Sequence, residues 1–394
     1  DGEFPTLLLA YPDRAGSVAV VSAILADAGL NIASMKVHRT SRGGQALMSV
    51  QLDELPPDGV LDSLRHLPNF QQIRFIPALG FGGGIMQKGK EGSLGRTIAV
   101  AEEAGGPLSG VFLRDEARES GKPETELRDL MRARIGVMRQ ALARGLESPQ
   151  RSRSGLISGE AHRITDWAAG GGSLLGADFS RLVAAAMAVA EVNACMGRIV
   201  AAPTAGSCGV LPAALFTVAE ARGIAEERLV EAFFTAGGIG LVIERSASLS
   251  GAEGGCQAEV GSASAMAAGA LVEMMGGSPA QAGSAVAFAL GNILGLICDP
   301  VRGLVEVPCV KRNALGASNA VLSAEMALAG CESLFSADEV IETMGKVGRR
   351  LPEEFRETAR GGLALLPVKA ASPGLEAETE PGISFAYCQQ NKHA

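Results

Sequence analysis

Aromatic residues are scarce in this 394-residue chain: one Trp, two Tyr and 13 Phe, or 4% of the total. With 47% hydrophobic residues, a disordered or fibrous chain is excluded, and the core has to be built mostly from aliphatic side chains. Positive charge is also in deficit. Lys and Arg number 35 against 43 Asp and Glu, a formal net charge of −8. That excludes a general polyanion-binding surface, so nucleic acid is not an expected partner. No Cys-x-x-Cys pair occurs, and with it the usual ligand spacing of a structural zinc site is missing. The glycines of Leu79-Gly80-Phe81-Gly82-Gly83-Gly84 are not followed by Gly-Lys-Ser/Thr, which removes a phosphate-loop reading. Histidine is limited to His38, His66, His162 and His393. All four read as surface residues, His162 in a charged loop beside Arg163.

A membrane span is the next thing missing. No charge occurs between Glu273 and Asp299, long enough by count to cross a bilayer. Gly276, Gly277, Ser278, Pro279, Gln281, Ser284, Gly291 and Asn292 interrupt the run, so a buried helix is expected instead. The seven cysteines are odd in number, and no basic-then-apolar segment opens the chain. A secreted disulfide framework is therefore not expected, and a reducing cytoplasm is.

What is present divides into two parts. Thr6 to Tyr11 reads as a strand, Val18 to Ala28 as a helix, and Ile32–Arg39 and Ala46–Leu52 as strands joined by a Ser41-Arg42-Gly43-Gly44 hairpin. A helix near Gly59–Leu67 and a strand at Ile73–Pro77 follow. This order is the split β-α-β unit, with two helices on one face of an antiparallel sheet. A charged helical stretch begins near Ser93, clearest in Glu124–Gly145, and Ser148–Ser154 reads as a loop. Helical runs are then expected at 180–197, 211–222, 225–249, 262–275, 279–297, 312–329 and 337–349, with Gly- and Pro-containing breaks between them. The expected fold is α+β: a ferredoxin-like βαββαβ module at 4–79, a linker at 80–92, a large mostly α-helical domain at 93–370, and a tail at 371–394.

Three cysteines lie at helix ends or in loops beside Gly or Pro: Cys256 after Gly254-Gly255, Cys298 before Asp299-Pro300, and Cys309 after Pro308. There a thiolate can project without being buried in a packed face. Cys195 and Cys331 sit in apolar helical contexts, Cys208 in a Gly-rich loop and Cys388 in the tail. Soft thiolates at loop positions suit zinc or an iron–sulfur cluster. Three unrelated buried thiols would leave the same pattern, since free cysteine is a common small core residue.

Asp13-Arg14-Ala15-Gly16 after the first strand and Gly29-Leu30-Asn31-Ile32 before the second resemble the ACT domain, a regulatory amino-acid-binding module, over about residues 4–79. The resemblance implies a ligand pocket near Gly16 and Asn31 at an interface between two such modules, hence a homo-oligomer, a dimer. The same two residues also suit plain turn and cap geometry. The stretches Ala202 to Gly209, Ser250 to Gly261, Leu294 to Pro300, Val307-Pro308-Cys309 with Arg312-Asn313, and Glu357 to Ala364 closely resemble the α part of the iron–sulfur-dependent L-serine dehydratases, over about residues 85–370. That resemblance implies Cys256, Cys298 and Cys309 as ligands of a [4Fe–4S] cluster with one open iron. It also implies conversion of L-serine to pyruvate and ammonia. Some relatives carry a fourth cysteine after the Gly-Gly-Leu-Ala stretch, where this chain has Pro367-Val368-Lys369; Cys388, further on, is not expected to be a ligand.

Arg312 can clamp a carboxylate or pair with Glu306. Thr204, Ser207 and Asn193 can bond the substrate amine or the cluster sulfides, or cap helices, Ser207 ahead of the Pro212 helix in particular. Glu253 and Glu259 flank Cys256 and can order its loop or contact the amine. Pyridoxal phosphate chemistry would need a Schiff-base lysine and a phosphate cradle; Lys311, the lysine near a motif, has no such loop beside it. An ACT-based sensor without catalysis is the rival of a different class. The family's β part carries a Ser-Ser-Ser-His-Thr-like catalytic motif that is absent from these residues, so a missing β half, fused or in trans, is an expected partner and the source of the base.

Overall fold

The computed structural model describes residues 5–39, 44–65, 67, 70, 72–76 and 92–368. The chain divides into two compact units, Asp1–Gln87 and Lys88–Ala394. Residues 41–43 of the expected hairpin, Pro77, the linker to Glu91, the tail from 371 with Cys388, His66 and His393 lie outside the described residues.

In the first unit, β1 (Thr6–Pro12), α1 (Ser17–Asp27), β2 (Ile32–Arg39), β3 (Gln45–Leu52), α2 (Asp58–Arg65) and β4 (Gln72–Ile76) follow one another. Along β1, Leu7, Leu9 and Tyr11 are buried while the residues between them are less so; a period of two places them on one face. The sheet is antiparallel in the order β2-β3-β1-β4, with Leu9 opposite Met48 on one side and Ile73 on the other. Val21 and Leu25 of α1 and Leu61 and Leu64 of α2 complete this core. Gly16, at a φ of 89° that favours glycine, turns the chain from β1 into α1.

The second unit is helical. It runs α3 (Leu94–Glu103), α4 (Leu108–Ser120), α5 (Glu124–Glu147), α6 (Glu160–Ala169), α7 (Ala177–Ala194), α8 (Val210–Arg222) and α9 (Glu226–Ser246). It continues with α10 (Gly251–Gly254), a π-helical turn (Gln257–Gly261), α11 (Ser262–Met274), α12 (Pro279–Gly291), α13 (Cys309–Leu328) and α14 (Ala337–Arg350). Helix α11 is buried on nearly every side and packs against α8, α9, α12 and α13. Its Ala- and Gly-rich sequence lets those helices approach closely, which is how a core poor in rings closes. At the α5–α7 crossing, a Cβ on Gly145 would lie 2.4 Å from the Ala188 carbonyl oxygen. Helix α14 is stapled to α3: the Asp338 carboxylate accepts from Leu94 N at 2.9 Å and Gly95 N at 2.8 Å. Among the described residues, no helix is long and apolar enough to cross a membrane.

Among the sequence expectations, those for the 279–297 helix and for His162 need correction here. The helix expected at 279–297 stops at Gly291, and 292–297 turns back towards the π-helical segment. His162 is in α6 rather than a loop, half-buried, with Nδ1 3.3 Å from the Leu146 carbonyl.

Candidate metal centre

Three distant segments converge in the helical unit. Cys256 sits between α10 and the π-helical turn, a helix distortion recurrent at functional sites. The next residue, Gln257, is buried and fixes the second segment: its backbone N–H donates to Leu296 O at 3.0 Å, and its side-chain oxygen accepts from Gly295 N at 2.9 Å. Cys298 lies in that second segment, where its N–H donates to Phe355 O (2.8 Å) and its carbonyl accepts from Glu357 N (2.9 Å). The Glu357–Ala364 stretch is thereby drawn in. Cys309 opens α13. One turn on, the Asn313 side chain accepts from Gly209 N (2.8 Å) and donates to Gly206 O (2.8 Å) and Cys309 O (2.9 Å), tying the 204–209 loop to the same place.

The three cysteines are more enclosed than their loop settings suggested, with exposures of 2%, 3% and 8% for Cys256, Cys298 and Cys309. Cys256 and Cys298 share one buried cluster with Val210, Val260 and Ala263. The donor atoms of Cys256, Cys298 and Glu259 lie within 4.8 Å of one another. Cys309 is not part of that tight group, although Cys256 and Glu259 act on its thiol electrostatically. The Cys256 thiol is held below its ordinary pKa by the Cys298 thiol beside it, and Arg312 favours the same thiolate. Cys298, whose thiol donates to Glu259 Oε2 at 3.9 Å, is pushed up by the neighbouring Cys256 and by burial. Burial pushes Cys309 up as well. The Glu259 carboxyl rises to about 8, chiefly through desolvation and then through the nearby Cys256 and Glu357 charges. Two cysteine sulfurs and a carboxyl within 4.8 Å, with the Cys309 thiol in electrostatic reach, are a donor set that can hold a metal ion.

Arg312 is brought to this group. Its guanidinium forms an ion pair with buried Asp299 at 2.8 Å and donates to Ile297 O at 2.9 Å. The Glu306 pairing anticipated from sequence does not form; Glu306 instead accepts from Ser152 at 2.7 Å and from Ser154. Asp299 also accepts from Leu363 N at 2.8 Å. Thr204 lies beside Glu259, whose charged form it favours, and 3.0 Å from the Ser207 hydroxyl. Ser207 is fully buried and does not cap α8, whose N-cap is Gly209. Asn193 donates to Ala205 O at 3.1 Å and so touches the loop rather than the donor group. Lys311 pairs with Glu160 at 2.9 Å, and Glu253 accepts from Ser248 at 2.6 Å. Of the remaining described cysteines, Cys208 is buried with its thiol raised to about 12 by desolvation. Cys195 caps the end of α7, and Cys331 is exposed beyond α13 rather than in a helix.

Asp299 and Glu357 were not singled out from sequence, and Glu259 was left between two roles. Their one sequence signal is position: Glu259 three residues after Cys256, Asp299 next to Cys298, and Glu357 in a shared motif. In the first unit, Gly16 is open, with nothing within 4 Å of where a Cβ would stand. The Asn31 amide, at the surface, donates to Asp53.

Comparison with known proteins agrees with this division. Residues 6–69 match the ACT domain family and residues 103–364 the family described as serine dehydratase alpha chain. A probable L-serine dehydratase alpha chain of Bacillus subtilis (strain 168) is 48% identical over 270 residues, 68% of this chain and 90% of the relative. The L-serine dehydratase alpha chain of Peptoniphilus asaccharolyticus is 46% identical over 267 residues, 68% of this chain and 91% of the relative. An L-serine dehydratase of Streptomyces coelicolor is 40% identical over 278 residues, which is 59% of its own length. On the strength of that match, and of a site assembled from the stretches it covers, this chain belongs to the serine dehydratase alpha chain family, with an ACT domain ahead of the family region.

Proposed function

We propose that this chain is the alpha-type part of an L-serine ammonia-lyase, with Cys256, Cys298 and Cys309 holding a [4Fe–4S] cluster. The observation that carries the reading is the convergence of Cys256, Cys298 and Glu259 within 4.8 Å. The donor set fits the group: soft thiols for iron, enclosure from water, and an arginine to balance negative charge. When bound, the cluster supplies a Lewis-acidic iron that can hold the serine carboxylate and hydroxyl and ease loss of the hydroxyl.

The chain's own residues do the rest of the holding. Arg312, kept in place by Asp299, stabilises the Cys256 thiolate. The Thr204 and Ser207 hydroxyls offer hydrogen bonds on the Glu259 side of the site, where a substrate amine or carboxylate can be oriented. The net reaction is removal of the Cα proton and loss of the β-hydroxyl as water, giving aminoacrylate, which tautomerises and hydrolyses to pyruvate and ammonium. The Cα base comes from a β-type half, fused or in trans. The ACT domain binds a small amino acid, serine itself, near Gly16 and Asn31 at a contact between two copies.

The tight spacing of the three donors also favours a second reading, a single zinc ion held by Cys256, Cys298 and Glu259. One anaerobic preparation separates the two. The cluster gives a brown chain with matching iron and sulfide; zinc gives a colourless chain. Replacing Cys256, Cys298 and Cys309 singly by Ser is expected to abolish full cluster assembly, and a full cluster in any two of the three variants overturns the ligand set. Pyruvate formation from L-serine is expected only after a β-type half is added.

A further inference from the structure

We propose that Glu259 is a fourth protein donor to the metal centre, binding through its carboxylate in the substrate-free protein at the position that substrate later takes. The inference rests on the metal-centre reading above and adds to it a residue outside the three cysteines.

Three observations carry it. Glu259 Oε2 lies 3.9 Å from Cys298 Sγ, and its donor atom belongs to the same 4.8 Å group as Cys256 and Cys298. Among the described residues no Lys or Arg forms an ion pair with it, and the Cys298 thiol is its neighbour at 3.9 Å, so the carboxyl group is packed against sulfur rather than against a cation. A metal ion that takes the place of its proton supplies the positive charge the carboxylate then needs. Space is also kept for this side chain. A Cβ on Gly251 would stand 2.7 Å from Oε2, and one on Gly206 would stand 3.4 Å from Oε1. The π-helical turn brings Cys256 and Glu259, three residues apart, to the same side.

Chemistry and position then assign the role. Oxygen is the harder donor of the set, so it exchanges more readily at iron than thiolate does. By residue, Glu259 is half-buried where Cys256 and Cys298 are buried, so it is the most exposed of the three donors. Thr204, beside the carboxyl group, is placed to receive it when it swings off. Glu357, the other acidic group felt at the site, does not join the donor group.

The test uses the full chain reconstituted anaerobically with ⁵⁷Fe and sulfide. Wild type, Glu259→Gln and Glu259→Cys are compared by Mössbauer spectroscopy and by the rate at which iron is lost to a chelator or to air. Wild type is expected to show one iron site distinct from three, moved by L-serine. Glu259→Gln should shift that distinct site before serine is added and lose iron at least about tenfold faster. Glu259→Cys should make the four sites alike and slow the oxidative loss of iron. A distinct site unchanged in Glu259→Gln, or still present and equally labile in Glu259→Cys, overturns the proposal while leaving the three-cysteine reading standing. Wild type that takes up no iron overturns both.

Discussion

Removing the charge of Asp299 should destabilise the helical unit far more than its single ion pair would suggest. At an effective dielectric near 20, two unit charges 2.8 Å apart attract by about 6 kcal/mol. Desolvation of both groups, with side-chain exposures of 2% and 13%, offsets several kcal/mol per ion, so the intact pair is worth little net. The asymmetry appears when one partner goes. Asp299→Asn leaves Arg312 as a largely buried cation, with Ile297 O and the Cys256 sulfur as its remaining partners, and should cost about 3 kcal/mol, the lower end of the range for breaking a buried pair. Asp299→Ala should cost about 1 kcal/mol more, because Leu363 N loses its acceptor. For a unit of this size the cost of Asp299→Asn is roughly 5 °C in Tm. Urea unfolding of the metal-free chain, followed by fluorescence of Trp167, reads the helical unit alone, since that residue is the single Trp and lies in α6. The double variant Asp299→Asn/Arg312→Met should recover more than half of the loss. A cost for Asp299→Asn below about 1 kcal/mol, or a double variant no better than the single one, would refute the buried-cation argument.

Asp338→Ala should cost about 1–2 kcal/mol by uncapping the first turn of α3, with Asp338→Asn intermediate; thermal melts of the two variants check the ranking. Gly145→Ala should cost at least about 1–3 kcal/mol, because the new Cβ meets the Ala188 backbone at 2.4 Å rather than a side chain able to turn away; equilibrium urea unfolding reads it. Glu191 is fully buried and accepts from Glu160 N (2.7 Å) and Ala161 N (3.0 Å), yet burial raises its carboxyl. A raised acid binds more protons folded than unfolded, so its contribution is greatest below the unfolded value near 4.3 and is lost as pH rises through the folded value. The stability of wild type relative to Glu191→Gln should therefore fall with rising pH across that window; a difference independent of pH shows that the carboxyl titrates alike in both states.

The first unit was legible almost element by element, because alternation in Leu7-Leu8-Leu9-Ala10-Tyr11 and the helical spacing of Val21 and Leu25 each reflect one buried face. The helical unit was less so where burial has no single face. Ile293-Leu294-Gly295-Leu296-Ile297 continues the apolar character of α12, and nothing local separates a helix from a loop covered by its neighbours. Helix α6 escaped for the opposite reason: of Glu160–Ala169 it buries Ala161 fully and little else, so no stripe announces it. At the site, the family motifs marked the cysteines, but the pairing of Arg312 with Asp299 rather than Glu306 depends on how the 292–299 loop folds back. Sequence proximity favoured the residue six positions away over the one thirteen away. Glu259 lacked a signal of its own because an acid near a cysteine is equally at home ordering a loop.

Gln257 and Asn313 are neutral amides, buried to 1% and 0% exposure, and between them they hold the 206–209, 295–296 and 309 backbone positions by hydrogen bonds that neither titrate nor depend on a metal. The ordering of these loops is thus completed when the polypeptide folds, and little conformational entropy remains to be lost when an inorganic group arrives. Preorganisation of this kind moves the bottleneck of maturation from rearrangement to entry. Delivery through the enclosing loops, rather than closure of the cage, becomes the slow step.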